Sequence, residues 1–174
     1  LSISISEVAN VSDRRSFALL TPELNNGLPS MLIPSNGINT GLMVAQYSGA
    51  SLVSDNKTLA HPDSVDSIPT SANQEDHVSM GANGARHLLE IINNVTYVVA
   101  IEFLCAAQAI DFRENGKNRL GIGTAAAYPL IREKVHMYQN DHEMSPDIET
   151  LVKLINSETI IHQVNQALQT GENQ

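Results

Sequence analysis

Apolar residues recur at helical spacing along most of this chain, and the places where they stop divide it into segments. Ile5, Val8, Ala9 and Ser12 share one helical face. A polar stretch, Asp13-Arg14-Arg15, follows, so a helix is predicted from residue 1 to about 20 despite the alternating Ser/Ile start. Thr21-Pro22, Asn25-Asn26-Gly27 and Leu28-Pro29 break the pattern. Residues 21–40 therefore read as a loop with apolar anchors at Leu28, Met31 and Ile33. A period near 3.6 returns over about 40–60 through Leu42, Ala45, Gln46, Gly49, Leu52, Val53 and Leu59, with one flank made of small residues. His61-Pro62 ends it, because proline disfavours helical geometry in the residue before it.

Residues 61–75, HPDSVDSIPTSANQE, form a long polar loop, an uncommon feature inside a helical domain and often a functional one. The longest uninterrupted helical pattern runs from about 77 to 112, carried by Leu88, Leu89, Ile92, Val95, Val98, Val99, Ile101, Leu104 and Cys105. At its usual rise such a helix spans roughly 54 Å, more than a compact chain of this size can cover, so it calls for neighbours from other polypeptide. A polar connector follows over 111–123. Further helices are predicted over about 124–139, 145–155 (opened by Ser145-Pro146-Asp147) and 157–168, with a disordered tail at 169–174. The expected class is all-α, with residues 1–174 forming one helical portion of a larger protein.

Composition sharpens this picture. Hydrophobic residues make up 42% of the 174, while aromatics reach only 4% and Trp is absent. A core of Ala, Leu, Ile and Val suits close helix packing better than a β-sandwich. The net charge of −9, with no basic run longer than Arg14-Arg15, argues against nucleic acid as a partner. No run of about 18 consecutive apolar residues is present, so no membrane span is expected. The single cysteine, Cys105, stands in an apolar run and reads as a buried, inert thiol, which fits a cytoplasmic setting. The chain begins at Leu1 rather than Met, from which a piece of a longer product is expected.

The residues able to carry chemistry gather in the long loop: His61, Asp63, Asp66, Asn73, Gln74, Glu75, Asp76 and His77. The His and Asp spacings match no zinc pattern, and no metal is expected. Two readings of Gln74 to His77 stand side by side. In one, Ser71 or Asn73 caps the long helix while Glu75 and Asp76 meet its dipole in the first turn. In the other, the segment is the edge of an active site, where adjacent Gln and Glu bind a polar substrate or exchange protons with it. Elsewhere Gly121-Ile122-Gly123-Thr124 reads as a turn that opens a helix, since it lacks the third glycine and the strand of a dinucleotide fingerprint. Asn94-Val95-Thr96 has the form of a glycosylation triplet, but its helical position makes that irrelevant.

The run TSANQEDHVSMG, residues 70–81, with NKTLAHPDSVDSIP before it, resembles the signature of the histidine ammonia-lyases within the aromatic amino acid lyase family. The likeness extends upstream through GLPSMLIPSNGINTGLMVAQ and Ser12-Asp13-Arg14-Arg15. Downstream it takes in AIEFLCAAQAIDFR and Ser145-Pro146-Asp147-Ile148. The resemblance implies the C-terminal part of a long-helix bundle that assembles as a homotetramer, each active site being built from several subunits. It implies elimination of ammonia from L-histidine to give urocanate, with a methylideneimidazolone electrophile formed from an internal Ala-Ser-Gly. No Ala-Ser-Gly occurs here, and Gly49-Ala50-Ser51 has its composition in the wrong order. The electrophile and the partner segments are therefore expected in polypeptide outside this sequence, and this chain alone is expected to be inactive.

Residue by residue, the resemblance makes Glu75 the active-site glutamate held beside the substrate imidazole and Gln74 its substrate-binding neighbour. The phenylalanine and tyrosine lyases resemble Asn-Gln-Asp at this stretch, with a neutral amide in place of Glu75. A carboxylate can accept a hydrogen bond from an imidazole N–H, which a phenyl ring cannot supply. Asp76 and His77 remain structural on this reading, and Arg14 and Arg15 are expected in inter-helix salt bridges. Two alternatives stay open: a phenylalanine or tyrosine lyase or aminomutase piece, and a non-catalytic helical assembly module.

Overall fold

A computed structural model describes residues 1–34 and 37–171. Among them are six α-helices: α1 (Ser2–Leu20), α2 (Met43–Leu59), α3 (Gly81–Phe112), α4 (Ile122–Lys134), α5 (Ser145–Asn156) and α6 (Thr159–Gly171). Short 3-10 turns lie at Ser30–Leu32, Asp63–Val65, Ser71–Asn73 and Gly116–Arg119. The all-helical expectation holds.

The 32 residues of α3 form the axis on which α1, α2 and α5 pack, while α4 lies mainly against α6. The buried face of α1 is small and polar: Ser6, Ala9, Ser12, Asp13, Ser16 and then Leu20. Small side chains let the α1 backbone approach α3 closely, and the polar ones then need partners. Ser12 Oγ donates to Glu102 Oε2 of α3 at 2.6 Å, and Arg15 grips the same carboxylate at 2.5 and 2.7 Å. Asp13 accepts from Gln46 Nε2 of α2 at 3.1 Å. Arg15 thus makes the expected inter-helix bridge. Arg14 does not, and lies instead over the Phe17 ring of its own helix at 4.0 Å.

The main core joins Leu32, Ile33 and Leu42 of the 21–42 segment to Ala100, Ile101, Leu104 and Cys105 of α3, with Tyr138 and Leu151 on the far side. A smaller cluster of Ala9, Ile91, Val95 and Val98 fills the gap between α1 and the first half of α3. Cys105 is fully buried, and desolvation pushes its thiol up to about 12.

By length and composition α3 is long and apolar enough to cross a bilayer. Its buried polar side chains, however, are bonded to other elements of this chain, Asn94 to Asn56 and Gln108 to two loops, and Glu102 is bonded to α1. That is the pattern of a core helix.

Three boundaries differ from expectation. α3 begins at Gly81 rather than 77, so Glu75 and Asp76 lie outside its first turn. α4 stops at Lys134, short of 139, because Val135 and Tyr138 turn into the core, where Tyr138 N and O bond to the Gln108 side chain at 3.1 and 2.9 Å. α6 continues through Gly171, so the start of the expected disordered tail is helical, and residues 172–174 lie outside the described residues.

Candidate functional site

The loop from Ala60 to Met80 joins the end of α2 to the start of α3. Pro62 closes off α2, and a 3-10 turn at Asp63–Val65 reverses the chain. Val78 N then donates to Ser67 Oγ at 3.1 Å, pinning the two limbs together. At the tip Thr70 and Glu75 face each other in an isolated antiparallel bridge, with backbone bonds of 2.9 and 3.3 Å. Thr70 Oγ1 adds a third bond, donating to Glu75 Oε2 at 3.0 Å. Between them Ser71, Ala72 and Asn73 have φ of 55, 54 and 72°. Three successive left-handed residues, none of them glycine, form a strained turn, each disfavoured by about 1–3 kcal/mol. Such strain clusters at functional sites.

This geometry rules out the capping reading. Ser71 and Asn73 belong to the strained turn, and the residue capping α3 is Met80. Glu75 and Asp76 meet no helix dipole; Gln74, Glu75, Asp76 and His77 are all exposed on the face of the chain.

A groove of about 540 Å³ lies beside the loop, at the meeting point of the α1 start, the α2 end and the α3 start. His61, Asp63, Asp66 and His77 line it together, with Leu1 and Leu88 forming apolar wall. Asn73, Gln74, Glu75 and Asp76 do not reach it. Four of the eight candidates are thus brought to one groove, while the tip bearing Gln74 and Glu75 is not part of its lining. Among the described residues no group of three or more His, Cys, Asp or Glu is arranged to hold a metal ion.

One partner of the loop went unseen in the sequence. His87, in the second turn of α3, has Nδ1 3.2 Å from Asp63 Oδ2. Gly84, one turn earlier on the same face, leaves room for that carboxylate: a Cβ there would come within 3.2 Å of Asp63 Oδ2. The Gly84/His87 spacing of three was the available signal, but nothing local linked it to a residue 24 positions upstream.

A helical chain built on one long central helix, with a strained polar loop at its head, defines the class. The family model for aromatic amino acid lyases matches residues 1–133. The chain is 51% identical over 168 residues to histidine ammonia-lyase of Natranaerobius thermophilus, covering 97% of this chain and 33% of that protein. Among solved structures it is similar to histidine ammonia-lyase from Trypanosoma cruzi, with a TM-score of 0.90 and 38% identity over 96% of this chain and 32% of that one. It is equally close in shape to tyrosine aminomutase from Streptomyces globisporus, with a TM-score of 0.91 but 28% identity, covering 95% of this chain and 31% of that one. The chain belongs to the aromatic amino acid lyase family. It spans about a third of the length of the curated relatives it matches.

Proposed function

We propose that this chain is a helical third of a histidine ammonia-lyase, an enzyme that eliminates ammonia from L-histidine to give urocanate. The observation that carries the reading is Glu75, a carboxylate at the tip of a strained loop in a chain half identical to enzymes of that name. Thr70 holds one oxygen of Glu75, and the other stays available to an imidazole N–H. Gln74, beside it, offers both donor and acceptor to a polar substrate. A carboxylate so placed positions the ring and stabilises positive charge developing on it.

Members of the family use a methylideneimidazolone electrophile made from Ala-Ser-Gly. The residues of this chain do not fit that role, because Gly49-Ala50-Ser51 has the wrong order and lies inside α2, held in helical geometry. The electrophile belongs to other polypeptide in this proposal, and so does the rest of the site. An exposed Glu75 tip and uncovered apolar residues such as Leu89 and Ile92 on α3 support covering by the remainder of the protein and by further subunits, a homotetramer in the family's usual form. A cytoplasmic setting belongs to the same proposal, supported by the free, buried Cys105.

The test is the complete enzyme carrying Glu75→Gln, assayed with histidine, phenylalanine and tyrosine. Wild type is expected to produce urocanate absorbance from histidine alone. The variant is expected to lose turnover by at least about a hundredfold, the range for a positioned ionisable group, with assembly intact by size-exclusion chromatography. Unchanged turnover removes the role assigned to Glu75. Elimination from tyrosine or phenylalanine in preference to histidine would move the chain to the aromatic lyases or aminomutases.

A further inference from the structure

We infer that Asp63 and His87 are positioning residues that fasten the Glu75 loop to the long helix; the inference rests on the lyase reading above. Residues 61–77 contain no buried side chain, so packing alone holds the loop weakly. Most of its hydrogen bonds are internal, joining Val78 to Ser67 and Thr70 to Glu75. Ser79 and Met80 touch only the first turn of α3 that they adjoin; among the described residues, the His87–Asp63 contact at 3.2 Å is the one side-chain hydrogen bond between residues 61–78 and a helix.

Both partners are set by their elements. Asp63 opens the 3-10 turn at Asp63–Val65, where its backbone carbonyl accepts Asp66 N at 3.3 Å, so the backbone that carries the side chain belongs to the turn. His87 rides on a stretch of α3 anchored by the fully buried Ile91 one turn later. Gly84 keeps the approach open, as a Cβ would press on the carboxylate. The two side chains are only 20% and 35% exposed, so water competes for the bond less than on an open surface.

The consequence follows from population arithmetic. A loop that leaves its binding-competent position for part of the time raises the apparent dissociation constant by the inverse of the competent fraction. Once substrate is bound, its own bonds to the tip hold the loop, so saturated turnover is unaffected. Loss of the fastening therefore raises KM and leaves kcat nearly unchanged. A substitution that merely destabilised the protein would do the reverse, lowering the number of working sites at constant KM.

The experiment has two arms. In the complete enzyme, His87→Ala and Asp63→Asn are each expected to raise KM for histidine about three- to fivefold with kcat within about twofold, the range a partly exposed pair sustains. The double variant should be no worse than either single one, and His87→Arg, which keeps a donor for the carboxylate, should restore KM. In the second arm, hydrogen exchange is measured on the same complete protein, comparing wild type, His87→Ala and His87→Arg. The amides of Val65 and Asp66 should exchange faster in the alanine variant and return in the arginine variant. Unaltered KM, or a double variant whose effects multiply, overturns the positioning role, as does unaltered exchange. A wild-type enzyme inactive on histidine would instead overturn the lyase reading, and the exchange arm would still decide whether the pair fastens the loop.

Discussion

Gln108 offers the sharpest test of how this chain holds its long helix. It is fully buried in α3, and all four of its hydrogen-bonding positions are used. Nε2 donates to Leu32 O at 3.0 Å and to Tyr138 O at 2.9 Å, while Oε1 accepts from Tyr138 N at 3.1 Å and Arg132 Nη2 at 3.2 Å. One amide thus ties α3 to the segment before α2 and to the segment after α4. Gln108→Leu keeps the volume and removes every one of these bonds. Arg132 retains Asp111 at 2.7 Å, but three backbone groups lose this partner in a place without solvent. A buried group left unsatisfied costs about 1–3 kcal/mol, carbonyls being nearer the low end. Three such groups, offset by roughly 1 kcal/mol from the apolar leucine, give a loss of about 2–4 kcal/mol. With a denaturant slope of about 2 kcal/mol per molar urea, the unfolding midpoint should fall by about 1–2 M. Urea titration followed by far-UV circular dichroism measures it, with Gln163→Leu on the exposed face of α6 as the control, expected within about 0.5 kcal/mol of wild type. If both variants unfold at the same midpoint with unchanged slope, the amide is not what joins these segments.

Two further outcomes are expected. His142 is held protonated above its ordinary range, chiefly by Asp147 at 3.0 Å from Nε2, and Asn140 O adds to this. A raised value means that the stabilisation is fully present below about pH 6.5 and is lost as pH rises through the folded-state value. Asp141 is held below its ordinary range, first by Thr40 N at 2.7 Å, then by Gly41 N and the Thr40 hydroxyl, so its contribution is lost at the acid end, as pH falls through the depressed value. Midpoints measured across pH should therefore decline on both sides, and His142→Gln should flatten only the upper decline; parallel profiles for variant and wild type would refute the assignment. Cys105 should be inert to an aromatic disulfide reagent in the folded chain and react fully in urea, since a fully buried thiol raised to about 12 carries almost no thiolate at neutral pH. Prompt reaction in native buffer would place it elsewhere.

The helices were legible because their causes are local. The apolar period over 81–112, the proline at 62 and the Ser145-Pro146 start each act within a few residues, and each boundary they define lies within four residues of its expected place. Where the expectation failed, the cause was distant. The pattern after Thr124 continues past Lys134, but Val135 and Tyr138 turn into the core, where Gln108, 30 positions from Tyr138, bonds to its backbone. Likewise Asp13 belongs to the polar stretch Asp13-Arg14-Arg15, yet it lies on the buried face of α1, where Gln46 reaches it from another helix.

The site was harder to read, for a reason that bears on the fold as a whole. Thr70-Ser71-Ala72-Asn73 carries the chemistry of a helix start, a hydroxyl and an amide ahead of two acids, and local preference alone would make it one. The chain instead takes the left-handed turn, with φ of 55, 54 and 72° at Ser71, Ala72 and Asn73. Sequence propensity therefore pointed to the lower-energy local state, and the structure has chosen the higher one. A choice of that kind requires compensation, and within this chain it comes from three bonds between Thr70 and Glu75, with Asp63 and His87 at the base of the loop. Glu75 is lifted off the helix by the turn, exposed and held through one oxygen by Thr70, a placement that supports the role proposed for it.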